Sequence, residues 1–569
     1  MSSSSCLCVA GGPLTCPNAI RQLWNTCSIK SGTAAFLFLR VHAPEWCVVM
    51  GFNREVRFTS SFQITWRQLR LTLAGLMIVA VGCSSATSDN ASTTDPDVAP
   101  ATDSAVPPTT NPDGSSATDT TALSIDDIET EPFDVNPANL PVGQVQDFGP
   151  APEVPTGELS QDVVDNLNFV FGEDFGTGFG EEEVAALVEL GGSGDPRVAW
   201  LMSDLLRLAG GTDLTTPLVE ASTEVTGTEI DPFDPWLDLT DRLIAWDVPA
   251  PPGYIEWKSN IYTLVVPEWE PLFDPTATDI DWRYISWGGV GIDDRAYSSP
   301  DQFDPICSCI PAIDNPEVTD VAGAGWLDDD DVVFGITLNG ESRAYPRSAM
   351  EVREMVNDTL GGRDLGIPYC TLCGSAQAYF TDEVPEGVER PILRTSGLLS
   401  RSNKVMYDLN SQSVFDTFLG TALTGPLSEI GVTLEQASVL TTTWGDWREA
   451  HPDTTVLAEG LNLGRDPDFR SNRDANGPIF PVGDVDPRLD IQEDVVGVIT
   501  PSGEPLAFHS QTARFALQDG QTVVADGVEL RLVSGGLQAF TIDGDPISTH
   551  ESFWFAWSQF NPDTALWPS

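Results

Sequence analysis

The segment DVVFGITLNGESRAYP, Asp331 to Pro346, returns as DVVGVITPSGEPLAFH, Asp494 to His509, with Gly-Glu-x-x-Ala-aromatic in register at Gly340 and Gly503. Farther on, WGDWREAHPDT, Trp444 to Thr454, returns as WFAWSQFNPDT, Trp554 to Thr564, with the same W-x-x-W-x-x-x-x-P-D-T spacing. A chain that repeats both the beginning and the end of a unit builds that unit twice. The sequence therefore predicts an α+β protein with an internally duplicated mixed α/β, β-rich region. Each copy begins as a hairpin, since Val332, Phe334, Ile336 and Leu338 alternate up to an Asn339-Gly340 turn. In the first copy a helix is then expected. Ser348 and Glu351 read as its capping box, Ala349, Val352, Met355 and Val356 as its buried face, and Gly361-Gly362 as its stop.

The first copy also carries LGIPYCTLCGSAQAYF, Leu365 to Phe380. Ala376, Ala378 and Phe380 alternate with Gln377 and Tyr379, so the pattern is strand, tight turn, strand, with Cys370 and Cys373 on the turn. A redox dithiol of the thioredoxin kind instead opens a helix, whose N-terminus lowers the thiolate pKa. Two thiols at this spacing can close a disulfide, supply half of a tetrahedral metal site, or exchange electrons. The candidate thiol site is Tyr369, Cys370, Cys373 and Ser375. The second copy reads as VVADGVEL, Val523 to Leu530, at the corresponding place, without thiols. Cys307 and Cys309, in PICSCIPAIDNP, would complete a four-thiolate set for zinc or a soft site for copper(I). The alternative is disulfides, either each of that pair to one turn thiol or the turn closed on itself. Histidine is scarce: past the leader only His451, His509 and His550 remain, and the counterpart of His451 is Asn561, which marks a polar helix terminus. A Ser-His-Asp triad or a His-rich metal site is not indicated.

The chain has 28 basic against 85 acidic side chains, a net charge of −57. Residues 1–83 hold seven basic and two acidic ones, so the rest carries 21 − 83 = −62. Such a surface repels nucleic acid and anionic headgroups alike. Arg67 and Arg70 precede LTLAGLMIVAVG, Leu71 to Gly82, and then Cys83, the order of a lipoprotein signal with lipidation at Cys83. Twelve apolar residues are too few to span a bilayer as a helix, which takes about 20. Residues 1–49 sit awkwardly ahead of such a signal, and translation is expected to begin at or after Met50. From Ser84 the chain is Ser, Thr, Asp, Ala and Pro, a disordered tether assigned to residues 84–150. The expected partner is therefore a membrane, reached through the N-terminal lipid from its extracytoplasmic side; no protein partner is specified.

Residues 151–310 read as a helical and Trp-rich region. In DPRVAWLMSDLLRLAGG, Val198, Leu201, Leu205, Leu206 and Leu208 form an apolar face closed by Gly210-Gly211. Trp236, Trp246, Trp257, Trp269, Trp282 and Trp287 follow, as packing of a large irregular surface or as the walls of a ligand groove. The first repeat is assigned to residues 311–465 and the second to 466–569.

AYPRSAMEVREMVNDTLGG, PYCTLCGSAQAYF, SGLLSRSNKVMYDLNSQSVFDTFLGTALTGPL and HPDTTVL together resemble, in order and spacing, the bacterial family called domain of unknown function 3179. The resemblance runs from about Ile310 to Pro568. That family usually has proline after the first cysteine, where this chain has Thr371. The resemblance implies no activity. It implies that Tyr369, Cys370, Cys373, Gly374, Ser375, Asn403, Tyr407 and Asp408 cluster. The resulting expectation is an extracytoplasmic lipoprotein whose cysteine site binds a soft metal, zinc or copper, or maintains structure. Two other classes stay open: a thiol-dependent envelope oxidoreductase or hydrolase, and a partner-binding structural protein.

Overall fold

The structure is a computed structural model, and it describes residues 35–40, 47–52, 133–172, 175–176, 179–298, 309–458 and 477–569. The chain divides into two units, Met1–Ser88 and Asp89–Ser569. What is described of the first is an antiparallel strand pair, Ala35–Arg40 with Cys47–Phe52. The expected signal, Cys83 and residues 84–132 lie outside the described residues. None of the described helices is long and apolar enough to cross a membrane.

The second unit opens with six helices: α1 Gln161–Phe171, α2 Glu181–Gly191, α3 Ala199–Ala209, α4 Thr215–Thr226, α5 Pro235–Ala245 and α6 Tyr254–Val265. The starts of α1 and α5 are capped by side chains, with Ser160 accepting from the Val163 amide and Asp234 from the Leu237 amide. In α3, Leu201, Leu205 and Leu206 are buried as the spacing predicts. Trp236, Trp257, Trp269 and Trp282 enter the same core, and the Trp269 indole donates to the Ser396 carbonyl at 2.7 Å. These four serve packing, and Trp246 and Trp287 lie at its margin.

The tether assigned to residues 84–150 ends earlier than expected. The stretch 133–149 is strapped to the body: the Phe133 ring lies 5.4 Å from that of Phe515, Leu140 is buried, and the Gly143 amide donates to the Pro487 carbonyl. Apolar anchors at Phe133 and Leu140 account for the difference.

Downstream, five sheets form a five-bladed, propeller-like ring. In chain order the strands and helices that concern the site are β1 Ile285–Trp287, β2 Val332–Leu338, β3 Glu341–Pro346, α7 Arg347–Arg353, β4 Met355–Leu360, β5 Arg363–Cys370, β6 Ser375–Ala376 and β7 Ala378–Phe380. Then come β8 Leu393–Ser400, β9 Asn403–Asp408, β10 Val414–Asp416, β11 Leu440–Thr443, α8 Trp444–Ala450 and β12 Thr455–Leu457. The second repeat supplies β13 Asp494–Ile499, β14 Pro505–His509, α9 Ser510–Gln518, β15 Val523–Ala525, β16 Val528–Val533, β17 Gly536–Thr541, β18 His550–Phe553, α10 Trp554–Phe560 and β19 Ala565–Trp567.

Two of the sheets share one plan. β11 pairs antiparallel with β2, β2 with β3, and β12 parallel with β3. In the same way β18 pairs antiparallel with β13, β13 with β14, and β19 parallel with β14. The W-x-x-W-x-x-x-x-P-D-T motif closes each. Its second tryptophan covers a glycine: a Cβ on Gly335 would stand 2.2 Å from the Trp447 ring, and one on Gly497 2.1 Å from the Trp557 ring. The indoles donate to the threonine of the motif, Trp447 to Thr454 at 3.0 Å and Trp557 to Thr564 at 2.8 Å. The glycines face Ala344 and Ala507, so Gly335 corresponds to Gly497. The first hairpin turns on Asn339-Gly340, both at positive φ, whereas the second uses residues 500–504. The longer turn shifts the first strands of the two copies by one residue from their ungapped match.

Two local expectations are corrected. The helix after β3 ends at Arg353, Glu354 turns left-handed at φ 55°, and Met355 to Leu360 become strand β4. Met355 and Val356 mimic a helical face in the sequence because β4 is buried on both sides and loses the alternation that marks a half-exposed strand. Gly361-Gly362 is accordingly a hairpin turn rather than a helix stop. The counterpart of the thiol turn is also misplaced in the sequence match. VVADGVEL forms the β15–β16 hairpin, and the turn equivalent to Cys370–Ser375 is the one joining β16 to β17, at Ser534-Gly535.

Candidate functional site

β5 carries Cys370 out of the sheet, Gly374 turns left-handed at φ 62°, and β6 returns with Ser375 opposite Cys370. The expected strand, turn, strand is what forms. Both sulfurs are sealed, Cys370 at 1 % and Cys373 at 0 % exposure, and they lie 2.7 Å apart as free thiols. A second turn meets them from β8 and β9. Arg401 and Ser402 hold φ 47° and 65°, a left-handed pair that costs non-glycine residues about 1 kcal/mol each. This turn aims the Lys404 amide at the Cys370 sulfur, 3.4 Å, and sets the Asn403 amide oxygen 3.1 Å and the Ser402 carbonyl 3.5 Å from the Cys373 sulfur.

Beneath the thiols is a buried ion pair. The Lys404 ammonium reaches the Glu354 carboxylate at 3.0 Å, the Glu354 carbonyl at 2.7 Å and the Thr395 hydroxyl at 3.3 Å. Thr371, between the cysteines, donates to the same carboxylate at 3.2 Å. Burial pushes the Cys370 thiol up, but hydrogen bonds from Cys373 and the Lys404 amide outweigh it, with help from the Lys404 ammonium, and bring the group below the usual thiol value. Burial, the hydrogen bond to Cys370 and repulsion from its thiolate push Cys373 well above that value. Cys370 is therefore the sulfur of the pair that ionises first, and Cys373 is the one that keeps its proton.

The second repeat closes the site, since the Phe553 amide donates to the Cys373 carbonyl at 2.8 Å. Beside it, the His550 ring lies 5.4 Å from Phe418 and accepts at Nδ1 from the Gln436 amide at 3.0 Å. Burial holds His550 down to about 4, so the ring is neutral near pH 7. Asp416 of β10 is pushed by burial up to about 6, although its carboxylate accepts from the Phe418 and Leu419 amides.

Residues 307–526 match the family model described as Protein of unknown function (DUF3179). The resemblance read from the motifs holds over that span. It stops short of the Pro568 expected, because the matched segment ends at the β15–β16 turn and leaves out His550 and α10. No curated protein and no solved structure matches the chain.

Within and around the matched segment the predicted residues divide. Cys370, Cys373, Gly374, Ser375 and Asn403 come together. Tyr369 points to the opposite face of β5, against Phe334 at 4.9 Å. Tyr407 donates to the Asp293 carbonyl, and Asp408 accepts from the Ile392, Asn410 and Ser411 amides, so both hold the far end of β9. Glu354, Lys404, Asp416 and His550 were not foreseen. The signal available for Lys404 was its rarity, as one of three lysines in the chain.

Cys309 is disulfide-bonded, and its partner is neither Cys370 nor Cys373, since both are free. Cys307 lies outside the described residues. Among the described residues no three His, Cys, Asp or Glu side chains are placed to hold a metal ion. The donors at the turn are two sulfurs and an amide oxygen. Two thiolates sharing a tetrahedral zinc at 2.3 Å stand about 3.8 Å apart. At 2.7 Å this pair is set for a bond between its own sulfurs rather than for an ion between them.

Proposed function

We propose that this chain is a lipid-tethered extracytoplasmic protein whose DUF3179 segment works through a thiol–disulfide couple at Cys370 and Cys373. The observation that carries the reading is the 2.7 Å separation of two free cysteine sulfurs in an enclosed site, about 0.7 Å beyond a disulfide's bond length. Closing the pair joins the two sulfurs and releases two electrons and the two thiol protons. The left-handed backbone at Glu354, Arg401 and Ser402, all bordering the sulfurs, supports a site under constraint. The lipid tether is supported by the Arg67 to Cys83 segment and the polar stretch after it.

The test equilibrates the full chain in mixtures of reduced and oxidised dithiothreitol, quenches in acid, unfolds and alkylates. Both thiols should disappear together across the series, with a mass loss of about 2 Da before alkylation, as expected for one S–S bond. A pair that stays wholly reduced or wholly oxidised at every ratio defeats the reading. Membrane association that survives Cys83→Ser would defeat the tether.

A further inference from the structure

The two repeats send matching turns across to each other, and a set of polar groups distinguishes the two crossings. At the thiol-free crossing, Thr442 of β11 donates to the Ser534 carbonyl at 2.7 Å, and Leu440 packs on Gly536. Gln538 is saturated there: its amide nitrogen reaches the Ile547 carbonyl, the Thr549 hydroxyl and the Ser438 hydroxyl. At the thiol crossing the equivalent positions are Ser552 for Thr442, His550 for Leu440, Ser375 for Gly536 and Gln377 for Gln538. All four are 3 % exposed or less. The Ser375 hydroxyl, the Ser552 hydroxyl, His550 Nε2 and both atoms of the Gln377 amide have no hydrogen-bond partner.

A buried polar atom without a partner keeps the full cost of its desolvation, and native proteins leave few of them. Here they gather on one side of one seam, where the sister seam is apolar or satisfied. Ser375 is the cross-strand partner of Cys370, which puts its hydroxyl and the sulfur on the same face of the sheet with Cβ atoms about 5 Å apart. Gln377, two residues on, shares that face. The Gln436 amide fixes His550 Nδ1 as acceptor, so Nε2 carries the hydrogen and donates. The groups on this side of Cys370 are thus neutral hydrogen-bonding groups, and the site they share with the sulfur is closed to solvent.

We propose that this seam binds hydrogen peroxide and that Cys370 reduces it. Cys370 gives up its proton and its sulfur attacks one peroxide oxygen, the O–O bond breaks, and the departing hydroxide takes that proton to leave as water, so Cys370 becomes the sulfenic acid. The Cys373 sulfur then displaces the sulfenic oxygen, which leaves with the Cys373 proton as a second water, and the disulfide forms. Two electrons pass from the dithiol to the peroxide. Ser375, Gln377 and His550 hold the peroxide oxygens and donate to the one that leaves. This inference rests on the thiol–disulfide reading above and adds its oxidant.

The experiment follows disulfide formation in the reduced full chain by rapid acid quench and alkylation. Hydrogen peroxide and cumene hydroperoxide, a bulky analogue with the same O–O bond, serve as oxidants. Hydrogen peroxide should be faster by about tenfold or more, and Gln377→Leu and Ser375→Ala should each slow it by about tenfold, the value of one lost donor. In Cys373→Ser treated with hydrogen peroxide, dimedone added as the chain is unfolded should label Cys370. Melting curves of each variant confirm folding, and Ser375→Ala, which only removes an oxygen, keeps the test open where Gln377→Leu fails. Equal rates for the two peroxides, unchanged rates in both folded variants, or a dimedone label absent from Cys370 overturns the proposal. A chain that interconverts in dithiothreitol but ignores peroxide overturns this inference alone. A chain that does neither overturns the couple as well.

Discussion

Trp447 on Gly335 and Trp557 on Gly497 are held by the same contacts, down to the indole hydrogen bond with the threonine of the Pro-Asp-Thr turn. The amides of Trp444 and Trp554 donate back to Asp331 and Glu493 in the same manner. The turns the two repeats exchange are unlike. One is Ser534-Gly535, tied to His451 through the serine hydroxyl at 2.9 Å. The other is the Cys370–Gly374 turn with its ion pair, its left-handed neighbours and its unpartnered donors. What the repeats share is what closes a sheet, and what sets them apart is the thiol turn, the strand it meets, and the strands β8 to β10, present in the first copy alone, that bring Asn403 and Lys404 to the sulfurs. Chemistry has been placed where the scaffold imposes least.

The largest effect expected is on the shared part. Trp447→Ala and Trp557→Ala should each cost about 3 to 5 kcal/mol in denaturant unfolding, since each empties a buried site over a glycine. Costs that differ between the two by more than about 2 kcal/mol would break the equivalence of the sheets.

Next is a pH dependence that only the thiol side should show. The His550 ring has its pKa depressed from 6.5 to about 4, so the unfolded chain binds a proton that the folded one refuses between those values. Its contribution to stability is complete above pH 6.5 and lost as pH falls toward 4, by up to about 3 kcal/mol. His550→Leu, which copies Leu440, should remove this dependence from the difference between variant and parent curves. Leu440→Ala should leave it in place. Asp416 and Glu551, raised by burial to about 6 and about 7, act with the opposite sign, which is why the difference curve and not the parent alone must be read.

A smaller effect is expected at the indole acceptors. Thr454→Val and Thr564→Val should each lose about 1 to 2 kcal/mol, the cost of a buried N–H left without its partner. The smallest effect sharpens the comparison most. Thr442→Val should cost about 1 kcal/mol, because its hydroxyl is bonded to the opposite turn. Ser552→Ala, at the equivalent place, should be neutral or slightly stabilising, because its hydroxyl has nothing to lose. Equal losses at both would show that the two crossings are built alike.

The hairpin ending in Asn339-Gly340 and the thiol turn were legible because their signals are local: a left-handed dipeptide, a two-residue alternation and a pair of cysteines. β4 was not, because a strand covered on both faces carries no alternation to read. The second repeat's counterpart turn was misplaced because the two copies differ in loop length, which an ungapped comparison does not reveal. Lys404, Glu354 and His550 reach the sulfurs from separate strands, and only the folded ring brings them into one place. Tyr407 and Asp408 fell away for the opposite reason, since adjacency in a motif is not adjacency in space.

The amide that closes over Cys373 belongs to Phe553, 180 residues later in the chain. During vectorial synthesis the cysteine turn emerges long before the strand that will cover it. For that interval both sulfurs stand open to reagents of any size. Arrival of the last strand ends that exposure, so an oxidation state set during biogenesis is handed over to a mature protein in which both sulfurs are covered.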